Sequence, residues 1–292
     1  MNRWKALLLC VICLVGLSRQ RTEGAEFFFS QGVGGVFENH TIRSDDSLVE
    51  LARHYDVGYS EITAANPRVD PFIPQMGTSV TIPRIWILPD IPLQRGIVIN
   101  LSEMRLYFFH PKTRELVETF PVGIGDEGWD TPTGTYRIIE KVVHPAWHVP
   151  ASIRRQRPEL PKVLPPGGDN PLGSHALRLS SGSILIHGTN RPFGIGRRVS
   201  HGCIHLYPED IATLYKKVPL GTSVTIVRQQ VKVAEVNGWV VVEVHGDGGS
   251  DLEHEALTLL KRRGLLAKAD IGKLKVALRL NLGTPTDITR KE

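Results

Sequence analysis

The sequence holds 292 residues, 41% hydrophobic and 22% charged, enough apolar content for a sizeable core, which excludes a disordered or fibrous chain. Its 28 glycines and 20 prolines, about one residue in six, favour short strands and many turns over a helical bundle. The net charge of +5 is spread without a lysine/arginine block, so nucleic acid is not an indicated partner.

Arg3 and Lys5 precede an apolar run from Ala6 to Leu17, and Ser18, Gly24 and Ala25 follow it. A charged start, a short apolar stretch and small residues after it are the parts of a secretory signal peptide. The run is shorter than the roughly 20 residues that a membrane span needs. Residues 1–25 are therefore expected to be a cleaved signal, cut after Ser18 or near Gly24–Ala25. No small residues precede Cys10 or Cys13 as a lipid-attachment signal requires, and both leave with the signal. The mature chain then keeps Cys203 alone, so it has no internal disulfide, and the thiol reacts, pairs with another chain or is simply buried.

Residues 39–84 read as a compact βααβ module. His40–Ile42 predicts a short strand, and Asp45 or Asp46 is placed to cap a helix whose Leu48, Leu51, Ala52 and Tyr55 share one face. Ser60 is placed to start a second helix that ends by Asn66, before Pro67, and Val80–Ile82 predicts a closing strand before Pro83. The Ser44–Leu48 turn, the Ala65-Asn66-Pro67 segment and the Gly77–Pro83 ending resemble a LysM domain. That resemblance implies binding to N-acetylglucosamine-containing glycans such as peptidoglycan.

Residues 84–95, with Pro89 and Pro92, predict a short stiff connector. Strands are expected at Ile97–Ile99, Arg105–Phe109, Leu116–Val122, Tyr136–Ile139, Ala176–Leu179, Ile184–His187 and Ser223–Val227, within a unit spanning 96–228. One helix is clear, opening at Pro208 with Ile211, Leu214 and Tyr215 facing inward. The proline-rich stretch from Trp147 to Gly173 is long and irregular, as functional lids and binding loops are. Val231–Val236 and Trp239–His245, joined by Asn237-Gly238, predict a β-hairpin within 229–247, and 248–292 reads as a charged helical tail.

The chemistry-bearing residues lie between His187 and His205. His187 ends an apolar strand, and Cys203 sits in Ser200-His201-Gly202-Cys203-Ile204-His205, where glycine frees the backbone for a turn. A thiol is a poor nucleophile until an imidazole takes its proton or steadies the thiolate, and clustered histidines supply that help. The competing reading is a metal site. His201, Cys203 and His205 alternate, so an extended strand would present all three on one face, with His187 as a fourth zinc ligand. Gly202 argues for a turn instead, and no acidic residue stands in the motif to activate a water.

His187-Gly188, a gap, and then Ser200-His201-Gly202-Cys203 resemble the signature of the YkuD-type L,D-transpeptidases. The similarity runs from about Gly96 to Val227 and takes in Thr131–Gly134, Pro165–Gly167, Asn170–Gly173, Ile186–Asn190 and Pro208–Ile211. The resemblance implies a mainly β protein: a YkuD-like β-sandwich catalytic domain beside a small α+β LysM domain. With the signal peptide, the layout is similar to periplasmic enzymes that attach Braun-type lipoprotein to peptidoglycan. It implies that Cys203 attacks the carbonyl at the L-centre of the diamino acid in a tetrapeptide stem and releases D-alanine. His187 is then the base, oriented by the Gly188 carbonyl. The N–H groups of His201, Gly202 and Cys203 hold the oxyanion, and Ser200 supports the turn. His205, Asn190 and Trp147 fall to substrate binding, and no cofactor or metal is needed. The partners implied are peptidoglycan, an outer-membrane lipoprotein as one acceptor, and a carbapenem as inhibitor. His205 stands where the family usually carries arginine, so it could meet a substrate carboxylate only when protonated. Water as acceptor would make the protein an L,D-carboxypeptidase or a lipoprotein-detaching hydrolase. A wall-binding protein with an inactive cysteine is the reading outside enzymology.

Overall fold

The computed structural model describes residues 25–92, 94–111, 113, 116–247 and 251–291, so the apolar run from Ala6 to Leu17 lies outside the described residues. Among the described residues no helix is long and apolar enough to cross a membrane. The architecture is mainly β, as expected.

Strands β1 (Ala25–Ser30) and β2 (Val33–Thr41) precede helices α1 (Leu48–His54) and α2 (Tyr59–Ala65), and β3 (Ser79–Ile87) returns along β2. Helix α1 is capped by Ser47, whose Oγ accepts from the Glu50 N–H at 3.2 Å, not by Asp45 or Asp46. Asp46 is engaged instead by His40, 2.7 Å away, and by the Arg43 N–H. Helix α2 ends where Asn66 turns its amide onto the Ile62 and Thr81 carbonyls, fastening the helix end to β3. β3 does not stop at Pro83. It is the sheet's edge and pairs only with β2, so a missing N–H on its outer side costs little. The connector expected from residue 84 therefore begins only after Ile87.

The central unit contains β4 (Gly96–Asn100), β5 (Arg105–Phe109), β6 (Leu116–Pro121), β7 (Ile124–Gly125), β8 (Gly134–Val143), β9 (Trp147–His148), α3 (Ala151–Gln156), β10 (Val163–Leu164), β11 (His175–Leu179), β12 (Leu185–His187), β13 (Arg198–Ser200), β14 (Ile204–His205), α4 (Pro208–Lys217) and β15 (Ser223–Val227). One sheet of eleven strands runs in the order β14-β12-β11-β8-β15-β4-β5-β6-β1-β2-β3. The pleat of β4 and β5 divides it between two cores. Ile97, Ile99, Leu106 and Phe108 meet Leu177, Ile186, Ile204 and the inner face of α4. Val98, Tyr107 and Phe109 point the other way, onto Leu48, Leu51, Ile62 and Trp86 of the first unit. The first unit is thus docked on the central sheet rather than tethered to it. A buried ion pair crosses the junction: Arg105 Nε and Nη2 bind both Glu61 carboxylate oxygens at 2.7 and 2.8 Å.

The last segment, expected as a hairpin and a charged helical tail, packs into a unit of its own. β16 (Val231–Val236) and β17 (Trp239–Val244) form the hairpin, with Asn237 and Gly238 at φ 50° and 78° in the turn. Helices α5 (Leu252–Arg262) and α6 (Ile271–Leu280) and strand β18 (Thr286–Asp287) then cover it. Val233, Val240 and Val242 pack with Leu259, Leu260, Leu274 and Ile288 in a third core. Lys232, 1% exposed, joins this unit to the others through the Ile87 carbonyl at 2.7 Å and Glu103 at 2.5 Å, and pairs within its own hairpin with Glu243 at 2.8 Å.

Candidate active site

The sheet's other edge carries the chemistry. β12 lies between antiparallel β11 and parallel β14, in a register that sets His187 beside His205 and Ile186 beside Ile204. The His187 ring is 2% exposed, and its Nδ1 lies 2.7 Å from the Gly188 carbonyl oxygen. That contact fixes the neutral tautomer with the proton on Nδ1 and leaves Nε2 as the acceptor. Burial lowers the His187 pKa to about 4, against the pull of the Gly188 and Leu172 carbonyls. The imidazole is therefore a neutral base at physiological pH.

Cys203 occupies the turn that leads into β14. Ser200 Oγ donates to the Cys203 carbonyl at 2.6 Å and accepts from the Gly202 N–H at 3.1 Å, closing the turn from inside. Gly202 has φ +98°, which a side chain would strain, and this is why the motif carries glycine there. The Gly202 N–H thus serves Ser200 Oγ here, while no hydrogen bond among the described residues engages the N–H groups of His201 and Cys203. The thiol lies 3.9 Å from the Ser183 carbonyl oxygen, and no hydrogen bond joins it to His187 in this rotamer. Burial pushes the thiol pKa up, opposed by the Leu185 backbone and by Arg178. Both shifts favour the neutral thiol and imidazole over the thiolate–imidazolium pair.

The other singled-out residues spread around this centre. The His205 ring packs on that of His187 with centroids 4.5 Å apart. Burial, then His187 and His201, hold its pKa well below the ordinary histidine range, so the cationic form needed for a carboxylate contact is not present at neutral pH. His201 is exposed, edge-on to Trp129 at 4.8 Å. The Asn190 amide donates to the Asp169 carbonyl at 3.0 Å, tying the strand's exit to the proline-rich segment. Trp147 stands on the β9–β10 ribbon of that segment, with no hydrogen bond or ring contact to Cys203 or His187. The buried Asn170 anchors the segment through the Pro145 and Pro165 carbonyls and the Leu172 N–H.

Several contributors carried no motif of their own. Gly123 pairs with His205 through N–H to carbonyl bonds of 2.9 Å in both directions. The Asp126 N–H donates to the Ser200 carbonyl at 2.8 Å, and Asp130 binds Arg198 at 2.6 Å. These bonds brace the 200–203 turn from a segment some seventy residues earlier in the chain.

His201, Cys203 and His205 do not lie on the one continuous strand that the metal reading expects. Because the turn at Gly202 interrupts the extended run, His187, His201, Cys203 and His205 supply no three donor atoms within 4.8 Å of one another. Two other groups meet that criterion among the described residues, Glu26–His110–Glu118 and Glu103–Glu243–His245, and a lysine ammonium binds each, Lys217 and Lys232.

Comparison with known proteins agrees with this arrangement. The YkuD L,D-transpeptidase catalytic domain matches residues 94–226, and the LysM domain matches residues 40–83. "Probable L,D-transpeptidase YcfS" of Escherichia coli K12 is 40% identical over 270 residues, covering 87% of this chain and 84% of that protein. "Probable L,D-transpeptidase YbiS" of the same strain is 45% identical over 230 residues, covering 77% and 73%. "Probable L,D-transpeptidase ErfK/SrfK" is 43% identical over 204 residues, covering 68% and 65%. Similarity of that depth, spread over both domains and the His187–Cys203 edge, places this chain in the YkuD family of L,D-transpeptidases.

Proposed function

We propose that this enzyme works in the periplasm, reached through a cleaved signal, and transfers the acyl group of a peptidoglycan tetrapeptide stem to an amine. Cys203 Sγ adds to the carbonyl at the L-centre of the diamino acid while its proton passes to His187 Nε2. The N–H groups of His201 and Cys203 face the developing oxyanion. Collapse breaks the bond to D-alanine, whose amine leaves with the proton from His187, and a thioester remains. An amine then attacks the thioester, its proton goes to His187, and the thiol is restored. The peptide bond broken supplies the free energy of the one made.

The observation that carries this reading is the closed Ser200–Cys203 turn one strand from a buried, neutral imidazole. Because the thiol now faces Ser183, the mechanism requires a rotation about the Cys203 Cα–Cβ bond as substrate enters. The LysM domain supports a glycan contact that concentrates the enzyme on the polymer. A lipoprotein lysine and the amine of a second stem are both chemically competent acceptors.

The test is incubation of the purified protein with a tetrapeptide muropeptide and each amine, with products weighed by mass spectrometry. D-alanine release and an amide product are expected, both abolished in a folded Cys203→Ala variant. A carbapenem should add once per chain, its opened ring held as a thioester on Cys203. Turnover that survives Cys203→Ala, or an adduct mapping elsewhere, would overturn the mechanism.

A further inference from the structure

We propose that the amino-terminal edge of α2, in the LysM domain, is a positioning element of the acyl-transfer turn, with Tyr59 and Arg197 as its positioning residues. The proposal rests on the reading of Cys203 as the nucleophile.

The first N–H groups of a helix have no acceptor within it and must find one elsewhere. In α2, two of them find it in the loop that feeds the catalytic motif. Tyr59 N–H donates to the Ile195 carbonyl at 3.2 Å, and Ser60 N–H donates to the Gly196 carbonyl at 3.3 Å. The approach is close enough to demand glycine. Gly196 has φ +78°, and a Cβ built there would stand 2.3 Å from the Tyr59 nitrogen and 2.7 Å from the Gly58 carbonyl carbon. The next residue locks the contact: the Arg197 guanidinium lies over the Tyr59 ring, 3.5 Å from its centroid. Arg197 Nε is buried without a hydrogen-bond partner, so the ring face is what holds this end of the side chain. Ile195 is 1% exposed, which anchors the loop on its other side.

From there the contact reaches the chemistry by two short routes. Along the chain, Arg197 stands three residues before Ser200, whose hydroxyl closes the Cys203 turn. Across the sheet, the Gly196 N–H donates to the Val122 carbonyl at 3.1 Å, and the Arg197 carbonyl accepts from Ile124 at 3.1 Å. Gly123, between those two, is the residue paired with His205, whose ring lies on His187. Both halves of the thiol–imidazole pair are thus referenced to α2. The helix itself is fixed by Glu61, whose carboxylate binds Arg105, the Trp86 indole and the Gly58 N–H. Reacting groups must be held to fractions of an ångström, so slackness in this loop lowers the rate without weakening substrate binding.

The experiment uses the full-length protein and a soluble disaccharide-tetrapeptide, whose turnover does not call on attachment to the polymer. Tyr59→Ala and Arg197→Ala should each lower kcat about tenfold with KM within about twofold. The double variant should lose little more than either single, because the two side chains act as one pair. Tyr59→Phe keeps the ring and should restore the rate. Thermal midpoint and binding to whole sacculi should stay near wild type. The rate of iodoacetamide alkylation of Cys203 should change in Tyr59→Ala and return in Tyr59→Phe, a readout that needs no transpeptidation. Should Tyr59→Ala fail to fold, Arg197→Gln, on the loop alone, asks the same question. Unchanged kcat and alkylation in a folded variant would overturn the positioning role while leaving the acyl-transfer reading intact. A wild-type protein that releases no D-alanine, yet shows the alkylation shift, would overturn acyl transfer alone. Multiplicative losses in the double variant, or failure of Tyr59→Phe to rescue, would overturn the assigned pair.

Discussion

Acidification should expose the cost of keeping His187 neutral. An unfolded histidine takes up a proton as the pH falls through about 6.5, whereas the buried His187 waits until about 4. Between those values the unfolded chain binds more protons than the folded one, so stability falls as the pH falls. It is fully present above 6.5, declines through the window and levels off below 4. A gap of this width corresponds to about 3 kcal/mol, a sizeable part of the roughly 5–15 kcal/mol that holds a domain folded. The assay is urea unfolding of the wild type and His187→Gln at pH 4, 5, 6 and 7. Glutamine cannot titrate, so the stability difference between the two proteins should shift by about 3 kcal/mol in favour of the variant on going from pH 7 to 4. Burial, the larger cause of the low His205 pKa, persists in the variant, so most of the His205 slope is common to both proteins. Parallel curves would show that His187 titrates normally, and the neutral-base assignment would fall with them.

Three further outcomes follow from the same geometry. Alkylation of Cys203 by iodoacetamide should be slow at pH 7 and climb about tenfold per unit into the alkaline range, because burial raises the thiol pKa; a rate flat between pH 6 and 8 would instead reveal a preformed thiolate–imidazolium pair. Gly202→Ala places a side chain at φ +98°, which should cost about 1–2 kcal/mol in thermal unfolding and lower kcat about a hundredfold by distorting the turn; near-normal turnover would mean that the turn tolerates a different path. Lys232→Met leaves Glu103 and Glu243 buried without their cation and should cost about 3–5 kcal/mol at pH 7, partly recovered at acid pH as a carboxylate protonates; a loss under about 1 kcal/mol in urea unfolding would show water reaching the pair.

The legible part of the site was the part that is local in sequence. A strand ending in histidine, a glycine before a lone mature cysteine and a serine three residues earlier are all short-range patterns, and the turn they form is closed by its own residues. What stayed hidden is what the sheet delivers from elsewhere. Gly123 and Asp126 lie in a stretch with no distinctive residue, Asp130 only opens a turn signal, and their role comes from β7 pairing with β13. The protonation states were hidden for the same reason, since burial sets them and burial belongs to the assembled fold. The docking of the LysM domain had a trace in the unbroken apolar runs of β4 and β5, which need cover on both faces. Nothing in those runs says what the cover is. In the carboxy-terminal helices the charge is conspicuous, while Ala256, Leu259 and Leu260 carry the spacing of a buried helical face.

The Lys232 junction also bears on the order in which the chain can finish folding. The β2–α1–α2–β3 unit forms from neighbouring residues, but β1 needs Leu116–Thr119 to pair with, and the backbone of Ile87 needs Lys232 and Glu243. As the chain emerges from its amino terminus, the first unit thus has its structure early and its edge open until nearly all the rest has followed. An interrupted chain ending before Lys232 would leave Glu103 without its cation and the Ile87 backbone, at the end of edge strand β3, without its partners, the kind of surface on which unfinished chains pair with one another. The residues that seal the oldest part of the molecule are among the last to arrive.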